Sequence, residues 1–75
     1  MYDTKQRERE IHLFKVRYID INARIEFITA HPEIDPVQKE SGKEISREQY
    51  LAEAEQEMGT VAAFLNDLGV DASTL

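Results

Sequence analysis

The side chains of this chain best suited to chemistry are few and scattered. His12 stands one helical turn after Glu8, and His31-x-Glu33-x-Asp35 sets three potential metal ligands in one short stretch. A metal centre needs three or four converging ligands with supporting hydrogen bonds. Acids are common here and the spacing matches no ligand motif, so His12 reads as a surface residue and His31 as a helix terminator. No metal site is expected. Nucleophilic catalysis lacks its parts as well. The chain has no cysteine and no glycine-rich phosphate loop, and no serine stands beside a histidine. Ser41, Ser46 and Ser73 read as turn, cap and tail residues. Neither a catalytic residue nor a cofactor-binding one is assigned, and the chain does not read as an enzyme.

Charge is the next candidate for chemistry. Residues 1–30 hold six basic and five acidic groups, and residues 31–75 hold three and ten, so a net of +1 precedes a net of −7. Lys5, Arg7, Arg9, Lys15 and Arg17 suggest a basic arm, but Glu8 and Glu10 interleave them and no aromatic platform accompanies them. Helix-surface pairing at i, i+3 and i, i+4 accounts for them, so direct binding to nucleic acid is not expected. In the second half Glu48, Glu53, Glu55, Glu57 and Asp67 form a candidate acidic face. Such a run is usually solvated surface. The sharper alternative is a phosphate-like array that occupies the DNA site of another protein. In size and charge the chain resembles small acidic phage proteins that block host enzymes. That resemblance is compositional and covers no motif.

These side chains need elements to hold them. With 75 residues and a 41% hydrophobic fraction, the chain fits one small domain with a packed core. No apolar run is long enough to span a membrane, and the first residues lack a signal-peptide core, so a cytoplasmic protein is expected. Ser46-Arg47-Glu48-Gln49 is a capping box, flanked by Ile45 and Tyr50 at the positions of a hydrophobic staple. Gly69 and Val70 suit a Schellman stop that turns Val70 onto Leu65. Between these signals Leu51, Ala54, Met58, Val61, Leu65 and Leu68 recur at heptad spacing, which predicts a helix over 46–68. Gly59 weakens its middle and is a place for a kink.

The first segment carries two signals. Ile11, Phe14, Tyr18, Ile21, Ile25 and Ile28 repeat the same heptad spacing. Ile19, Ile21, Ala23, Ile25 and Phe27 also alternate with polar residues, as in a half-buried strand. Helix is preferred over about 4–30, because no glycine or proline interrupts it, Asp3 and Gln6 can cap it, and His31-Pro32 can end it. The connection 31–45 is long. Asp35-Pro36 reads as a helix start and Gly42 as a stop, which suggests helical turns near 36–41. Residues 69–75 form the tail, which reads as frayed over 71–75.

The expected fold is all-α, an antiparallel two-helix hairpin with the two stripes in contact and Arg24 opposite Glu57. Helix 1 has a second apolar face, Leu13, Val16, Ile19, Ala23 and Phe27, continued by Ala30. A helix apolar on both sides is normally buried on both. Dimerisation into a four-helix bundle is the expected solution. The alternative is that residues 31–45 and the tail fold over that face. The function read from this is a small acidic interaction protein, of the kind a phage or mobile element carries, that self-associates or docks on a protein partner. The other readings are an acidic DNA mimic and a small structural subunit of a larger assembly.

Overall fold

A computed structural model describes residues 4–75. Two long helices dominate it: α1 over Thr4–Ala30 and α2 over Arg47–Asp67. They pack against each other along the two heptad stripes. Each of the twelve stripe residues is buried or half-buried, with Ile21, Ile28, Ala54, Val61 and Leu65 the most deeply placed. Leu65 is fully enclosed. The alternating pattern from Ile19 to Phe27 is overruled, because helical spacing buries the stripe against a partner of matching length. The Asp3 cap lies outside the described residues.

Both ends of α2 follow their sequence signals. Ser46 Oγ accepts from the Gln49 backbone N–H at 3.1 Å. At the other end the Val70 N–H donates to the Leu65 carbonyl and the Gly69 N–H to the Asn66 carbonyl, the paired bonds of a Schellman motif. Gly69 has φ +84, a left-handed conformation that a side chain would strain. Gly59, a possible place for a kink, does not interrupt α2, which runs unbroken through it. A β-carbon there would meet nothing within 4 Å. Gly59→Ala should therefore stabilise the fold by about 0.5–1 kcal/mol, read as a raised urea midpoint at constant slope.

The connection corrects the expectation of helical turns near 36–41. It forms a two-stranded antiparallel hairpin, β1 (Val37–Gln38) and β2 (Glu44–Ile45), with Val37 opposite Ile45. Val37 and Ile45 are buried while Gln38 and Glu44 are exposed, the alternation of a short ribbon lying on a core. Gly42, at φ +87, closes the turn by donating to the Lys39 carbonyl. It is a turn residue and not a helix stop. Asp35, read as a local cap, caps α2 instead: its Oδ1 accepts the Arg47 N–H at 3.1 Å. Two-residue strands and β-branched residues at only two positions leave no measurable periodicity, so proline and glycine were the stronger signals.

The tail is also more ordered than a frayed end. Asp71 accepts from the hydroxyl and then the backbone N–H of Ser73, which hold its carboxyl below the usual range and start a 3₁₀ turn over Ala72–Thr74. Ala72 packs into the core cluster of Ile21, Ala54, Val61 and Leu65. Two arginines close the ends of the hairpin of helices. Arg7 donates to the Leu68 carbonyl at the end of α2. Arg47 Nη2 donates to the Ile28 carbonyl at 2.9 Å and the Thr29 carbonyl at 3.4 Å, at the end of α1. Neither helix has a cation in its own last turn. Each borrows one from the other helix, where it meets orphan carbonyls and the negative end of the dipole.

Candidate interaction surface

One continuous feature remains unexplained by the fold. Leu13, Val16, Ile19, Ala23, Phe27 and Ala30 are all exposed, and they run along α1 on the side away from α2. Leu13 is 65% exposed, and Val16, Ile19 and Phe27 are each more than half exposed. The inner stripe, by contrast, is buried or half-buried along its whole length. The difference comes from a helix whose two apolar stripes lie about half a turn apart, so one neighbour can cover only one of them.

The β-hairpin does not fold over this face. It is held at one flank, where Arg24 pairs with Glu40 at 2.7 Å and Lys39 reaches Glu53 at 3.8 Å. Arg24 also pairs with Asp20 at 3.2 Å. The Glu40 carboxylate first, and then Asp20, hold the Arg24 guanidinium above its ordinary value. Asp20 is the one acid set among the outward apolar residues, and this pair partly neutralises it. The hairpin comes near Ala23 and Phe27 only at their edge, through Val37 and Gln38.

Sequence reasoning missed a groove on that same flank. The hairpin stands across one end of the seam and leaves an open furrow of about 1190 Å³ between the helices. Phe14, Tyr50 and Ala54 contribute its apolar walls, Leu13 and Val16 reach only its outer edge, and Arg17 bridges it to Glu57 at 2.5 Å. Glu57 therefore pairs with Arg17, two turns before the expected Arg24. Further along, Phe64 stacks on Phe14 with ring centroids 5.3 Å apart, and remains 49% exposed.

The acidic residues of α2 do not assemble into one face. All five are exposed. Glu53 and Glu57 stand one turn apart on the groove side, and both carry ion pairs. Glu48 and Glu55 stand two turns apart on the opposite flank, and Asp67 lies near the far end. Helical geometry separates what a linear count groups together.

His31 and Glu33 do meet, at 2.9 Å, and Glu33 is held below the usual carboxylate range by its own backbone N–H and then by His31. The His31 ring also packs on Phe27 with centroids 4.5 Å apart. Asp35 points elsewhere, to Arg47. Among the described residues no group of three or more such side chains is close enough to hold a metal ion. No described helix is long and apolar enough to cross a membrane. Comparison with protein-family models, curated proteins and solved structures finds no match to the chain. The outward face of α1 is the feature on which a functional reading rests.

Proposed function

We propose that this protein is a small acidic helical interaction module that self-associates through the outward face of α1. The observation that supports this reading is the unbroken exposure of Leu13, Val16, Ile19, Ala23, Phe27 and Ala30 along one side of a well-packed helix. Isolated exposed apolar residues are ordinary, but a contiguous row rimmed by charge marks a contact surface. A second copy is the natural cover, because closed two-fold association buries the same patch twice. Two hairpins then place four helices in one particle.

The DNA-mimic reading has less support. A phosphate-like array needs uncompensated charge on one side, whereas Glu53 and Glu57 are paired and Glu48 and Glu55 face the other way. Docking on a foreign protein, or a place as a subunit of a larger assembly, would use the same α1 face and leaves the free chain with its apolar row in water. Multi-angle light scattering on the purified protein separates these. A particle of twice the 8.7 kDa chain mass at high micromolar concentration is the expected result. A monomer at that concentration would remove the self-association reading.

A further inference from the structure

We infer that the second copy lies antiparallel along α1, α1 against α1, and that the four helices form a flat layer instead of a closed bundle. This rests on the self-association proposed above, and it adds direction, register and shape. Direction follows from the spacing of the outward residues. Leu13 with Ala30, Val16 with Phe27, and Ile19 with Ala23 are arranged nearly symmetrically about the point between Ile21 and Asn22. Antiparallel alignment about that point sets Leu13 against the partner's Ala30, Val16 against the partner's Phe27, and Ile19 beside the partner's Ala23. Each larger side chain meets a residue of complementary size, and the whole row is covered.

Charge selects the same direction. In the antiparallel register Asp20 faces the partner's Arg24 on one rim, beside the pair they already make within a chain. On the other rim Lys15 falls near the partner's Glu26. Lys15 has no ion pair within the described chain, and Glu26 accepts only a 3.4 Å hydrogen bond from Asn22. Parallel alignment would instead leave Lys15 and the partner's Glu26 about three turns apart, and would set Arg9 beside its own copy. Like charges facing one another across a contact oppose association.

Shape follows from the placement of the two stripes. In a closed four-helix bundle each helix touches its neighbours on faces about 90° apart, around a shared core. Here the face of α1 that meets α2 and the outward face are on opposite sides. With α2 on one side and the second α1 on the other, the order across the particle is α2, α1, α1, α2. A single chain measures 47 × 25 × 14 Å with a radius of gyration of 14.5 Å. Side-by-side copies stay one helix thick. Their centres are about two helix spacings apart, which gives a radius of gyration of about 17 Å, against about 15 Å for copies stacked into a bundle.

Two measurements test this. Lys15→Glu or Glu26→Lys alone should weaken the dimer by about tenfold, since each change converts two symmetry-related attractions into repulsions. Carrying both on one chain should restore affinity to within about threefold of the unmodified protein. Circular dichroism checks that every variant keeps its helical content. A double variant no tighter than either single variant overturns the register. Small-angle scattering of the dimer should return the larger radius. The smaller radius means a closed bundle, with the groove beside Phe64 as its seam, and overturns the flat layer while self-association stands. A monomer in light scattering overturns the self-association reading itself.

Discussion

Replacing Ile21 by aspartate is expected to unfold the protein. Ile21 is 7% exposed and belongs to the cluster formed with Ala54, Val61, Leu65 and Ala72. A carboxylate there loses its hydration and gains no cation. The nearest arginines along α1 are engaged on the flank, Arg17 with Glu57 and Arg24 with Glu40 and Asp20. An unpaired charge in such a place costs several kcal/mol. A core of this size supplies about 3–5 kcal/mol of net stability. The far-UV helical signal should therefore fall toward that of an unfolded chain at 25 °C. Ile19→Asp is the control. It lies two residues away at 55% exposure, so the helical signal should survive it. A folded Ile21→Asp with an unchanged melting temperature would show that the helix seam is placed wrongly.

That pair of neighbouring isoleucines also shows how far the sequence could be read. Heptad spacing separates Ile21 from Ile19 correctly, because helical period alone decides which side a residue takes. The caps of α2 were equally legible, since Ser46 with Gln49 at one end, and Gly69 and Val70 at the other, each act on backbone about a turn away. Local chemistry is written in adjacent residues. The hairpin of β1 and β2 was not legible, because its two-residue strands depend on pairing Val37 with Ile45 and burying both, which no run of two residues displays. The proline and glycine around it carry conflicting local meanings. The pairing of Glu57 with Arg17, and the capping of each helix by an arginine of the other, depend on the offset of two helices. Long flexible side chains reach across several offsets, so spacing cannot choose among them. The groove was missed for the same reason. It exists only where the hairpin crosses the seam, and no run of residues announces it.

The outward face of α1 leads to the second large effect. Val16→Lys together with Ile19→Lys should convert the dimer to a folded monomer. In the single chain Val16 and Ile19 are 53% and 55% exposed, so two lysines there change the stability of the isolated hairpin by roughly 0.5 kcal/mol each or less. In the dimer the same two changes place four ammonium groups in an apolar contact. No acid stands within that row except Asp20, already held by Arg24. Affinity should fall by at least about a hundredfold, because each unpaired charge costs several kcal/mol to desolvate. The two proteins should also differ in how they melt. The unmodified dimer gains stability with concentration by mass action, so its melting temperature should rise as protein is concentrated from micromolar toward millimolar. The variant should melt at one lower temperature regardless of concentration. Glu48→Gln with Glu55→Gln changes charge by the same amount on a flank of α2 that makes no part of this contact, and should leave the dimer intact. A Val16→Lys, Ile19→Lys protein that remains a dimer of undiminished affinity would move the interface off the outward face of α1 and leave the groove beside Phe14 and Phe64 as the surface to mutate next.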